Sequence, residues 1–234
     1  MPLSTALRTL MTRLLTDVDD ALFPQHVLCL HCGAVSLPHA LCPACRTKLN
    51  ALRLANGQIA PNVAAVWGYC GIARELVLML KYGGVSECAQ ALADGMASAC
   101  PLVLPADTVV TSVPMTKKHR NARGIDHARL LAEAFAQRRG LACRPLLVRT
   151  RETKTQQGLN AQARRKNLQG VFAAAEPLTC PVLLIDDVYT TGSTAETCTA
   201  ILRQAGAKAV FVLTALKTLT DADGTELVWE EEHA

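Results

Sequence analysis

The chain has 234 residues, half of them hydrophobic, with ten cysteines and a formal net charge of +4. That length supports one good core, or one core with a small appendage, and the apolar content excludes a largely disordered chain. No apolar run reaches the roughly 18 residues of a membrane span, which excludes membrane insertion through such a helix.

In chain order, the first pattern runs from Ser4 to Phe23, where Arg8 and Arg13 stand among leucines ahead of Asp17, Asp19 and Asp20. It predicts an amphipathic helix rather than a secretory leader, and with it a cytoplasmic protein.

Cys29-Leu-His-Cys32 and Cys42-Pro-Ala-Cys45 follow, two CxxC turns separated by nine residues. Each turn brings two thiolates to one side, and two such turns complete a four-thiolate site with no open position. Cys29, Cys32, Cys42 and Cys45 are therefore the candidate ligands of a structural zinc, with His31 and His39 as bystanders. A pair of redox disulfides is the rival reading. The other six cysteines lie in largely apolar surroundings, as buried thiols do.

Leu49 to Asn62 is loop-like. Val63 to Tyr69 predicts a strand, and Ile72 to Tyr82 a helix with Leu76, Val77, Met79 and Leu80 on its buried stripe. The Gly83-Gly84 pair after Lys81-Tyr82 is either a helix stop or a place where backbone approaches a phosphate. Ala89 to Ala99 is a second helix and Thr108 to Pro114 a buried strand. A basic loop, Met115 to Gly124, leads to a helix from Asp126 to Arg139 with Ala128, Leu131, Ala132 and Phe135 inward. From Thr116 to Gly170 there are fourteen Lys or Arg against three carboxylates, which implies a polyanionic ligand for this block. Arg138 and Arg139 read instead as a solvated basic face.

Leu146 to Val148 is another strand. Arg149 to Gly170 is long and polar, placed to act as a lid, and Val171 to Ala174 returns as a strand. The chain then reaches Pro181-Val-Leu-Leu-Ile-Asp-Asp-Val-Tyr-Thr-Thr-Gly-Ser-Thr, followed by a helix that stops at Gly206. Val182 to Ile185 suits a strand buried on both faces of a parallel sheet. Asp186 and Asp187 would then stand at its carboxyl end, able to accept hydrogen bonds from a vicinal diol. Thr190, Thr191, Gly192, Ser193 and Thr194 would offer hydroxyls and backbone N–H groups at a helix N-terminus, a cradle for phosphate. A helix cap alone would need one hydroxyl, and this loop carries four. Ala209 to Leu216 completes the sheet, and an acidic tail closes the chain.

The IDDVYTTGST stretch resembles the phosphoribosyl pyrophosphate (PRPP) signature of type I phosphoribosyltransferases. With the four-cysteine module, LKYGG, SVPM with its basic loop, Gln156 and Arg165-Lys-Asn167, the chain from Phe23 to about Leu216 resembles the ComF family, also called GntX-like. It departs from the family pattern at Ser112-Val-Pro-Met and at Asp126, where an amide is more frequent.

The resemblance implies an α/β protein with a type I phosphoribosyltransferase-like fold, a mainly parallel sheet flanked by helices, and a small zinc-ribbon-like module. Its implied divisions are 1–50 for the N-terminal helix and zinc module, 51–220 for the phosphoribosyltransferase-like domain and 221–234 for the tail. It places ribose hydroxyls on Asp186 and Asp187, the 5-phosphate on Thr190 to Thr194, the pyrophosphate loop at Ser112 to Gly124, and a flexible catalytic loop at Arg149 to Asn167. Magnesium would bridge pyrophosphate and ribose oxygens. A transfer would displace pyrophosphate from C1, with Lys117, Arg120, Lys154 and Arg165 as candidate stabilising cations. The acceptor is not indicated. Two other readings stand beside an enzyme: an accessory that binds single-stranded DNA or DNA-processing proteins, and a PRPP sensor without turnover. Only nine aromatic residues argue against an extended base-stacking platform.

Overall fold

The computed structural model describes residues 27–116, 124–151 and 170–219. The chain divides into two units, Met1–Lys48 and Leu49–Ala234. Among the described residues no helix is long and apolar enough to cross a membrane. The expected helix from Ser4 to Phe23 and the acidic tail lie outside the described residues.

In the first unit, a short antiparallel bridge between Leu28 and Val35 closes the first CxxC turn. The chain then passes through a cis Leu37–Pro38 bond to helix α1, Pro43–Ala51. Proline at the first helical position forfeits no hydrogen bond, because that N–H has no intrahelical partner.

The second unit is built on a six-stranded sheet in the order β1-β2-β8-β7-β3-β4. Its strands are β1 Gln58–Ala60, β2 Val63–Gly68, β3 Val109–Ser112, β4 Ala142–Cys143, β7 Val182–Tyr189 and β8 Val210–Lys217. All neighbours are parallel except β1 against β2. A separate antiparallel hairpin joins β5, Leu147–Arg149, to β6, Phe172–Ala174. The helices are α2 Gly71–Tyr82, α3 Glu87–Ala99, α4 His127–Arg139 and α5 Ser193–Gln204. This is the α/β class, a mainly parallel sheet flanked by helices, that the sequence predicts.

Burial explains the core strands. Val182 to Ile185 and Val210 to Leu213 are almost inaccessible, as continuous apolar runs in a two-sided parallel sheet must be. Val182, Leu184, Val210 and Val212 share one cluster with Ala195, Cys198 and Leu202 of α5 and with Leu146, Leu147 and Phe172 of the hairpin region. Side chains alternate along a strand, so Leu183 and Ile185 face the opposite side, where α4 lies against β7 and β3. The chain leaves β3 through α4 toward β4, and leaves β7 through α5 toward β8. Right-handed crossovers in opposite directions put α4 and α5 on opposite faces.

Four expectations are corrected. The strand from Val182 does not end at Ile185: it continues to Tyr189, because its ladder with β8 persists through Asp186↔Thr214 to Tyr189↔Lys217. The Leu49–Asn62 segment is not all loop, since it contains the end of α1 and edge strand β1. Met79 is only half-buried, and Ile72 and Ala73 take the place it was given in the stripe. Arg138 and Arg139 are exposed as expected, but not idle. Arg138 Nε donates to the Asp94 carboxylate and Arg139 Nη1 to the Ala97 carbonyl, tying α4 to α3.

Candidate functional site

The carboxyl ends of β3 and β7 are neighbours whose onward connections run to opposite faces. In open α/β sheets such a switch point forms the ligand crevice. Asp186 and Asp187 sit there, inside the last turn of pleat rather than beyond it.

Being consecutive in an unbroken strand, the two carboxylates point to opposite faces. Asp186 follows Val182 and Leu184 toward the α5 face, and Asp187 follows Leu183 and Ile185 toward α4. Asp187 is buried, 6% exposed, and both of its oxygens are engaged. Lys81 Nζ, at the end of α2, lies 2.9 Å from Oδ1. His127 Nε2, at the start of α4, lies 2.7 Å from Oδ2. Burial acts to raise the Asp187 pKa, but the Lys81 ammonium and the His127 hydrogen bond overcome it and hold the carboxyl well below the usual range. Lys81 responds in kind: burial works against its charge, and Asp187 more than restores it, so its pKa is raised.

Asp186 is half-buried, and its Oδ1 accepts the backbone N–H of Asp187 at 2.9 Å. Burial, with the Asp187 charge added, pushes it up to about 7. The two members of the acidic pair therefore differ in charge behaviour as well as direction.

Beyond Tyr189 the turn has the expected form. Gly192 is left-handed, with φ 78°, at the N-cap position of α5, and no side chain caps that end. Its first N–H groups are thus left without a side-chain acceptor among the described residues, as an anion site requires. Thr191 Oγ1 and Ser193 Oγ lie 3.0 Å apart, Thr190 and Thr191 are exposed, Thr194 is half-buried and Ser193 is buried. A Cβ at Gly192 would stand 2.3 Å from the Tyr189 hydroxyl. Gly192→Ala is therefore expected to displace Tyr189 and distort the cradle, weakening binding of a phosphosugar about tenfold or more. Titration with ribose 5-phosphate measures this.

After α2, the Gly83 N–H donates to the Met79 carbonyl at 2.9 Å, so Gly83-Gly84 acts as a helix stop. Asp126 also acts locally, its Oδ1 accepting the Arg129 N–H and so capping α4. Lys117, Arg120, Lys154 and Arg165 lie outside the described residues. Lys81 and His127 are the site residues that sequence reasoning missed. A usable signal existed for Lys81, which continues the buried Ala73–Val77 row at the next i+4 position.

In the first unit, the sulfurs of Cys29, Cys32, Cys42 and Cys45 all lie within 4.8 Å of one another. None is in a disulfide. Metal–sulfur bonds of about 2.3 Å in a tetrahedron put sulfurs about 3.8 Å apart, and Cys32 to Cys42 is 3.7 Å. Burial and the neighbouring sulfurs push the Cys45 thiol up. Against burial, backbone N–H groups of Cys32 and Cys42 bring Cys29 down to about 6. The cluster suits a soft cation that takes thiolates. His31 Nδ1 stands 3.2 Å from Cys45 Sγ, beside the four donors rather than among them.

No family model matches the chain. Over 210 residues it is 30% identical to the DNA utilization protein YhgH of Escherichia coli K12, covering 82% of this chain and 91% of that protein. The chain belongs to the YhgH and ComF family. Competence protein ComFC of Bacillus subtilis is a more distant relative, 26% identical over 172 residues, covering 71% of this chain and 68% of that one. Among solved structures, glutamine PRPP amidotransferase from B. subtilis shares 20% identity over 58% of this chain and 30% of its own, with TM-score 0.41. Adenine phosphoribosyltransferase from Leishmania tarentolae shares 13% over 73% of this chain and 96% of its own, with TM-score 0.39.

Proposed function

We propose that this ComF-family protein binds PRPP with magnesium in the crevice between β7 and β3, and serves DNA uptake or utilisation through that site. One observation carries the reading: an ionisable carboxylate, Asp186, on a strand that runs directly into the uncapped, glycine-turned N-terminus of α5. Asp186 would take ribose hydroxyls and the Thr190–Thr194 turn the 5-phosphate. Magnesium, when bound, would supply positive charge to offset the phosphates of the ligand, with the Asp186 carboxylate beside the site. In a transfer, an acceptor nucleophile bonds to C1 as the C1–O bond breaks, and pyrophosphate leaves with the electron pair. Lys117, Arg120, Lys154 and Arg165 are proposed to steady that leaving charge. The four cysteines are proposed to hold zinc as a structural ion.

Calorimetric titration with PRPP and magnesium tests the site. Wild type is expected to bind and Asp186→Asn to lose most of that affinity; equal binding by the two removes the assignment. Ionised Asp186 is the better acceptor for two hydroxyls, and its pKa is raised to about 7. Affinity should therefore rise about tenfold per pH unit below that value and level off above it. Asp186→Asn should show none of this slope beyond the part due to the ligand's own phosphates.

The names of the relatives favour a second partner, DNA, for the basic block. A steep fall of DNA affinity with salt that is unaffected by Asp186→Asn would support it. No salt-dependent binding would reject it.

A further inference from the structure

The acidic pair does not act as a pair. We propose that Lys81 and His127 are positioning residues of the donor site: they clamp Asp187 by both oxygens on the α4 face, and so leave Asp186 alone to receive the sugar. This deepens the PRPP reading and rests on it.

The geometry is specific. An unbroken ladder with β8 runs through Asp186 and on to Tyr189, so neither carboxylate can turn toward the other's face without breaking strand pairing. Asp187 has a donor on each oxygen, at 2.9 and 2.7 Å, and is 6% exposed. Each oxygen keeps a second lone pair, but at 6% exposure the carboxylate has no room to present it to a ribose diol. Asp186 is held differently, by the N–H of Asp187 on one oxygen. The clamp therefore holds the side chain of the same residue whose peptide N–H orients the ligand-facing carboxylate.

The two donors arrive from separate places. Lys81 closes α2 just before Gly83-Gly84. His127 opens α4, whose N-terminus Asp126 caps, directly after the segment that carries the basic loop in the sequence. Asp187 thus joins three chain segments at the carboxyl edge of the sheet. Loss of either donor would free the Asp187 carboxylate to rotate and leave its negative charge, one residue from Asp186, less compensated. His127 Nδ1 is buried without a partner, so among the described residues the ring's hydrogen bond is the one from Nε2 to Asp187.

The test uses the full chain and PRPP with magnesium. Lys81→Met and His127→Leu are each expected to weaken binding by about tenfold or more. Lys81→Arg and His127→Gln, which keep a donor in reach of Asp187, are expected to restore most of the loss. Leu92→Ala, which opens the core under α3, a helix that carries neither clamp residue, serves as a control: it should lower the melting temperature and leave affinity unchanged. Wild-type affinity in Lys81→Met and His127→Leu, or equal losses in Leu92→Ala, would overturn the positioning role while leaving the donor site in place. Failure of wild type itself to bind PRPP would instead remove the reading beneath it, and the proposal with it.

Discussion

Replacing Asp187 by alanine is expected to lower the unfolding free energy of the Leu49–Ala234 unit by about 3–5 kcal/mol, the range found when one member of a buried ion pair is removed. The carboxylate neutralises Lys81, whose side chain is 18% exposed, and accepts from His127, 10% exposed. Without it, an ammonium stays desolvated with no counter-charge at 2.9 Å. Urea denaturation measures the loss. Adding Lys81→Met to Asp187→Ala should recover part of it, because the second change removes the stranded charge; the double-mutant cycle should be clearly non-additive. Strict additivity would mean that the pair makes no net contribution.

The same pair predicts a pH signature. Asp187 has a lowered folded pKa, so its contribution is present above its unfolded value near 3.8 and is lost as pH falls through and below it. Asp186 acts with the opposite sign. Its folded pKa is raised to about 7 from 3.8, so the native state binds the extra proton between those values. Stability from this group falls as pH rises across that window and is flat above it. Asp186→Asn should abolish that decline without touching the acid-side loss. Asp187→Ala should abolish the acid-side loss and, by removing a neighbouring negative charge, move the Asp186 transition to lower pH.

Much of this architecture is readable in the residues, because the core strands are continuous apolar runs and the helices carry clean stripes. Where reading fails, the missing information is tertiary. β1 has three residues with only Ile59 partly covered, and β4 has two exposed ones; an edge strand that short owes its existence to the neighbour it pairs with. Strand β7 runs four residues past its apolar stretch because β8 offers a ladder that polarity does not veto. That extension changes the chemistry, since it separates two carboxylates that spacing alone would place together. Lys81 and His127 stand 46 residues apart in a chain whose local patterns do not disclose that both meet Asp187. The CxxC turns are the contrary case: each geometric requirement is local, so the spacing suffices.

Zinc removal should have a still larger effect, confined to the Met1–Lys48 unit. Apart from Cys29, Cys42 and Cys45, the buried apolar side chain there among the described residues is Leu41. Val27, Leu28, Val35 and Leu37 are all more than half exposed, so apolar burial at the first CxxC turn is slight. Structural four-ligand zinc sites supply about 10–16 kcal/mol of apparent binding energy, which becomes folding energy when no site exists in the unfolded chain. One zinc per chain is expected by elemental analysis. Extraction with a strong chelator should abolish the ordered CxxC turns, read as loss of amide protection in residues 27–45, while the sheet of the larger unit keeps its protection. Cys42→Ser should release zinc as readily as chelation, since Cys42 is buried at 3.7 Å from Cys32. Cys45→Ala should retain more, because the His31 Nδ1 at 3.2 Å from the Cys45 sulfur is placed to enter the vacated position. Full protection of residues 27–45 in metal-free protein would show that hydrogen bonds such as Cys29 N–H to Ala34 O and Leu30 N–H to Ala40 O hold the turns by themselves, and that the four thiols serve some other end.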